Sequence, residues 1–243
     1  MVREKIERRP EQRVVIYDTT RWRLLRELRE KALEIMRSLA EAGIAAIVHG
    51  SVARGDVHPG SDIDVFIPFI IPSYRVELAL ERKGLRISHK LVVQATPLST
   101  PKAYISLDAE EKRVVSFPLA KLSRTEYEFY YFGGALDLQG LVQNKRVPGV
   151  DKRLVLIDPT PEGHIEYSII GREAEAAKKL GISIETVLER VRVLTRRDEI
   201  GRTGVFVKVE LDPWDSIEEA VKRIARENPL FRRVLRERSS PIV

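Results

Sequence analysis

The sequence predicts an α/β (α+β) protein, with a mixed-sheet domain over residues 1–160 and a smaller helix–turn–helix module over 161–243. Three patterns carry that reading. Between about Thr20 and Ala42 the residues Leu24, Leu25, Leu28, Ala32, Ile35, Met36 and Leu39 recur at three- and four-residue steps, the period of an amphipathic helix. The apolar run Ile44–Val48 and the alternating stretch Ile63–Ile67 have the length and period of strands. Past residue 160 the apolar spacing returns to that of helices. With 243 residues the chain is long enough for one large core or two small ones.

Taken in order, Arg13–Tyr17 reads as a strand. The long helix follows, with Asp18, Thr19 or Thr20 as its cap and Gly43 just past its end. Its arginines (Arg21, Arg23, Arg26, Arg29) read as a solvated face. The strand over Ile44–Val48 then runs into His49-Gly50-Ser51, and the next strand runs from Ile63 to Ile71, where Pro72 stops it. Residues 73–83 read as a short helix, and Arg86–Gln94 as a strand. Ala103–Leu107 pairs with Arg113–Phe117 as a hairpin. Tyr127, Phe129, Tyr130, Tyr131 and Phe132 are expected to fill a core, with base stacking as the alternative. Leu154–Asp158 is a strand ending in a proline-stiffened loop, in which His164 reads as a capping or surface residue.

The chemistry concentrates between residues 49 and 67. Gly50 lets a phosphate approach the backbone, and a helix opening at Ser51 would aim its free amides at that phosphate. Asp62 and Asp64 are two apart in a strand, so both carboxylates point to one face while Ile63, Val65 and Ile67 point into a core. Two carboxylates side by side repel unless a cation lies between them, and a divalent metal is the usual answer. A phosphate cradle followed by such a pair is the equipment of phosphoryl or nucleotidyl transfer.

Gly50-Ser51, the spacer Val52-Ala53-Arg54-Gly55-Asp56 with Gly60-Ser61, and Asp62-Ile63-Asp64 together resemble the signature of the DNA polymerase β-like nucleotidyltransferase superfamily. The spacer is most similar to that of the small stand-alone nucleotidyltransferases, and Val65-Phe66-Ile67-Pro68 to archaeal tRNA CCA-adding enzymes. The resemblance is strong over residues 44–68 and weak elsewhere. It implies that Asp62 and Asp64 are catalytic residues holding Mg²⁺ (or Mn²⁺), and that Gly50, Ser51 and Arg54 bind the phosphates of an NTP. The implied reaction is transfer of an NMP to a hydroxyl of RNA, a protein or a small molecule. The superfamily usually carries a third carboxylate on a neighbouring strand, which in CCA-adding enzymes reads Val-Asp-Val-Val-Pro. The matching piece here is Arg113–Pro118, with Val115 or Ser116 where the acid would stand. Asp108 and Asp137 are the alternatives, and the third ligand stays unassigned. That gap supports a competing reading, a weak or inactive nucleotidyltransferase fold acting as a nucleic-acid-binding regulator.

The C-terminal third fits either reading. Arg172–Leu180, a Gly181 turn and a helix from Ser183 to about Arg197 match a helix–turn–helix, and the turn and strand over Gly201–Val209 resemble the wing of a winged-helix domain. Arg190, Arg192, Arg196, Arg197 and Arg202 would then face RNA or DNA phosphates. A last helix opens on a Ser216/Glu219 capping box and carries a basic run from Lys222 to Arg238. The net charge of +6 favours polyanionic partners. The absence of cysteine excludes disulfides and thiolate sites, and no two of the four histidines have zinc-ligand spacing. No apolar run is long enough to span a membrane and no signal segment opens the chain, so a cytoplasmic location is expected. The 32% of charged residues and two methionines suit a thermophile.

Overall fold

A computed structural model describes residues 6–9, 11–201 and 204–239. In chain order the first elements are β1 (Arg13–Ile16), α1 (Thr19–Glu41), β2 (Ile47–His49), α2 (Ser51–Arg54), β3 (Ile63–Phe66), α3 (Ser73–Glu81), β4 (His89–Gln94), β5 (Lys102–Ser106) and β6 (Arg113–Pro118). Then come α4 (Arg124–Phe132), β7 (Ala135–Asp137), α5 (Leu138–Val142), β8 (Gly149–Val150), β9 (Val155–Thr160) and β10 (Gly163–Ser168). The last are α6 (Glu173–Leu180), α7 (Ile184–Ile200), β11 (Val207–Leu211), α8 (Ile217–Glu227) and α9 (Pro229–Glu237). The mixed α/β class expected from the sequence is what the chain forms. The described residues of Met1–Lys31, Val48–Ser61 and Arg124–Thr203 make one compact unit, and those of Ala32–Ile47, Asp62–Ser123 and Gly204–Val243 another.

In the first unit an antiparallel sheet runs in the order β1-β10-β9-β8. Leu154, Leu156, Tyr167 and Ile169 join Ala176, Ala177, Val187 and Leu194 from α6 and α7 in one apolar core. The helix pair has the expected ends: Gly181 takes the left-handed conformation after α6, and the Ser183 side chain caps α7 through the Thr186 amide. Glu128 of α4 strengthens that cap, accepting hydrogen bonds from the Ser183 amide at 3.0 Å and from the Thr186 hydroxyl at 2.6 Å. Of the aromatic run, Tyr130 and Phe132 are core residues as expected, while Tyr127 stays exposed. Strand β10 is not among the strands expected from the sequence, although His164, Glu166 and Ser168 alternate with Ile165 and Tyr167; Tyr167 joins the core with α6 and α7, and His164 and Glu166 are buried on the other face. His164 is buried and lies 2.6 Å through Nδ1 from the Tyr17 hydroxyl, which corrects the surface role expected for it.

In the second unit the strands run β11-β4-β5-β6-β3, antiparallel except for the parallel pair β3 and β6. The predicted β5–β6 hairpin is present, with Ser106 opposite Val114 nearest its tip. Strand β3 ends at Phe66, earlier than expected, because Pro68 cannot donate to the ladder and Phe69 and Ile70 turn outward. Strand β11 corrects the wing: it pairs with β4 from Val207 opposite Gln94 to Leu211 opposite Lys90. Val207 and Leu211 are buried there, so the alternation taken for a wing is that of a sheet strand. Helix α8 packs on β4 and α9 on α8. Ser216 caps α8 as predicted, and Glu218 in turn bonds the Ser73 amide (2.7 Å) and hydroxyl (2.8 Å) at the start of α3.

Candidate functional site

The chain passes from the first unit to the second between Ser61 and Asp62, so the motif is described in two parts. In the first unit, β2 ends at His49, whose ring meets Tyr130 edge-on at 4.9 Å. Gly50 then adopts φ +80° and ψ −148°, a backbone state open to glycine and costly for other residues. A Cβ there would meet nothing within 4 Å, so conformation and not crowding demands the glycine, and the space above the backbone is clear for a ligand. The single turn α2 begins at Ser51 with its first amides directed out of the turn. The spacer closes on itself: the Ser51 hydroxyl meets the Ser61 hydroxyl at 3.1 Å, and Ser61 Oγ accepts from the His58 amide at 3.0 Å.

Arg54 is tied into the turn. Its Nε and Nη2 pair with both oxygens of Asp56 at 3.0 and 2.9 Å, and Nη1 donates to the Gly133 carbonyl at 2.6 Å. Its side chain is 7% exposed. Three of the five guanidinium N–H donors thus hold the turn. Arg29 of α1 does related work, donating to the carbonyls of Val52 and Ala53 at 3.1 Å each. Burial lowers the Arg29 pKa to about 10, with the Arg146 charge adding to the shift.

In the second unit, β3 alternates as the sequence required. Ile63 and Val65 are buried, and Asp62 and Asp64 stand on the other face, each half-buried. Parallel pairing sets Asp64 beside Val114 and Phe66 beside Ser116. Val115 points to the opposite face, so of the two positions where an acid was expected only Ser116 shares the face of Asp64. On the next strand Tyr104 is opposite Ser116 and Ser106 opposite Val114, and the buried Ser106 hydroxyl has no hydrogen-bond partner. The Tyr104 phenol is pushed up to about 12, by burial first and by the charge of Asp64 second, so it keeps its proton at neutral pH. Both proposed third acids are engaged elsewhere. Asp108 caps the Lys112 amide at 2.6 Å and pairs with Arg113 at 3.0 Å, while Asp137 caps α5 through the Gly140 amide at 2.7 Å.

The carboxylate pair is a hard-oxygen donor set on an accessible face. Among the described residues no group of three or more His, Cys, Asp or Glu side chains is placed to hold a metal. The residues therefore suit a cation such as Mg²⁺ that keeps water and phosphate oxygens in most of its coordination positions. They do not form a protein-only cage. Lys112, which sequence reading passed over, forms an ion pair with Asp62 at 2.7 Å. Its signal was present in the sequence, since it immediately precedes the strand expected to carry the acid.

The predicted nucleic-acid residues divide as well. Arg192, Arg196 and Arg197 are exposed on α7. Arg190 is not: its guanidinium lies over the Phe129 ring at 4.8 Å, its Nε is buried without a partner, and burial lowers its pKa to about 10. It packs against the protein. Arg202 lies outside the described residues.

No helix among the described residues is long and apolar enough to cross a membrane. No curated protein matches the chain. Residues 29–117 match the family model of the nucleotidyltransferase domain, a span that holds Gly50, Ser51, Asp62, Asp64 and β6 through Phe117.

Proposed function

We propose that the protein is a nucleotidyltransferase that moves an NMP from an NTP to a hydroxyl acceptor, with Asp62 and Asp64 as the cation-binding residues. The observation that carries this reading is the β3 strand: two carboxylates on its accessible face, backed by buried Ile63 and Val65, inside the span that matches the nucleotidyltransferase domain. Mg²⁺ or Mn²⁺ held there would neutralise phosphate charge and orient the triphosphate. The Ser51 and Val52 amides at the start of α2 would supply backbone donors for phosphate oxygens beside Gly50, with Ser51 held by Ser61. Arg54 acts as a positioning residue that fixes the turn. In this reading the chain accelerates transfer by alignment and charge stabilisation.

The acceptor class is the open variable, and RNA ends, protein hydroxyls and small alcohols are the choices. The test is incubation with Mg²⁺ and each labelled NTP in the presence of RNA, protein or small-molecule acceptors. Label transfer that disappears in Asp62→Ala and Asp64→Ala supports the enzyme. Exposed Arg192, Arg196 and Arg197 favour the second reading, a nucleic-acid-binding regulator. No transfer with any NTP, together with salt-sensitive duplex binding lost on charge reversal of Arg192 and Arg196, would establish that reading instead.

A further inference from the structure

The strand beside the Asp pair presents three residues to its face. Pairing begins with Ile63 opposite Arg113, and the Ile63 amide donates to the Lys112 carbonyl at 2.7 Å. Lys112 thus stands next to Asp62, Val114 next to Asp64 and Ser116 next to Phe66. None is acidic, and the first has the opposite charge. Its Nζ meets Asp62 Oδ1 at 2.7 Å. The backbone under it is fixed by the Asp108 side chain, which accepts from the Lys112 amide and holds Arg113 as well. The lysine therefore reaches Asp62 from an anchored position, although its side chain is 49% exposed.

We propose that Lys112 is a built-in counter-cation that keeps free divalent metal off Asp62 and Asp64, so that the pair takes its cation as a metal–nucleotide complex. This deepens the proposed function and rests on it. An ammonium on one of two carboxylates removes half of their charge, and a bare divalent ion must displace it to bind both. A cation arriving on a triphosphate brings its own anionic ligands and needs less from the protein. The displaced ammonium then has phosphate oxygens as partners. Among the described residues no third acid joins the pair to hold a second divalent ion.

The test is Mn²⁺ binding followed by electron paramagnetic resonance, with and without a non-hydrolysable NTP. Wild type, Lys112→Gln, Lys112→Glu and Asp64→Asn are compared after thermal melts confirm that each folds. Wild type is expected to bind Mn²⁺–nucleotide and to bind Mn²⁺ alone weakly. Lys112→Gln should tighten binding of Mn²⁺ alone about two- to fivefold, the range for losing one exposed ion pair. Lys112→Glu, which restores an acid to the row, should tighten it further, and Asp64→Asn should lose both forms of binding. If wild type binds Mn²⁺–nucleotide but Lys112→Gln binds free Mn²⁺ no more tightly than wild type, the lysine is an incidental surface pair and this inference alone is overturned. If wild type binds neither Mn²⁺ nor Mn²⁺–nucleotide, the proposed function falls, and the inference with it.

Discussion

The turn at Gly50–Arg54 and the strand at Asp62–Phe66 carry the two halves of one sequence signature, but they use their polar groups in opposite ways. In the turn, side chains are consumed internally: Ser51 on Ser61, and Arg54 on Asp56 and Gly133. What it offers a ligand is backbone, the Ser51 and Val52 amides and clear space over Gly50. In the strand the backbone is consumed by pairing with β6, and what is offered is side chain, a carboxylate pair balanced only in part by Lys112. Under the proposed function this is a division of labour, since a phosphate needs fixed donors and a cation needs charge.

That comparison can be broken at either end. The largest expected effect is Asp64→Asn, which keeps the shape of the strand and removes charge; transfer from a labelled NTP should fall by on the order of 10²-fold or more, while the melting temperature holds or rises. On the turn the consequences reverse. Arg54→Met leaves Asp56 buried and unpaired, so stability should fall by about 3–5 kcal/mol in urea titrations. Gly50→Ala meets no neighbour, so its cost is backbone strain alone, about 1–3 kcal/mol, with weaker nucleotide binding in the same variant.

A fully engaged carboxylate sharpens the contrast with the Asp pair. Burial opposes the charge of Glu128, but bonds from Ser183, Thr186 and Arg124 outweigh it and lower its pKa from 4.5 to about 2. The folded-state value lies below the unfolded one, so the stability it contributes is complete above about pH 4.5 and is lost as pH falls towards 2. Thermal melts over that window should show Glu128→Gln with a flatter acid limb than wild type. The smallest effect is expected on α7. Replacing Arg192 and Arg196 with Glu should leave nucleotide transfer unchanged and, if a duplex binds there, make its salt dependence shallower by roughly one unit per lost contact.

Much of this was legible in the sequence because it rests on local periodicity. Helix α1, the β5–β6 hairpin, the caps at Ser183 and Ser216 and the alternation around Asp62 and Asp64 all follow from spacing that a strand or helix imposes. What was not legible depends on partners distant in sequence. Strand β10 alternates but was read as part of a proline-stiffened loop, because the partners that cover its polar face, on β1 and at Tyr17, are far away in sequence. The β11 strand looked like a wing because its alternation does not say which strand it will join, and β4 lies more than a hundred residues earlier. Arg54 and Arg190 share the limitation: a charge near a motif or on a helix reads as a ligand contact until Asp56, Gly133 or Phe129 is known to occupy it. Lys112 is the converse, an unremarked residue that acquires meaning only once the β3–β6 register sets it beside Asp62.

The most direct test of the central claim is a crystal soaked with Mn²⁺ and a non-hydrolysable NTP, with anomalous scattering used to locate the metal. A peak coordinated by Asp62, Asp64 and triphosphate oxygens is the predicted result. A map with nucleotide bound and no metal on the Asp pair would contradict it.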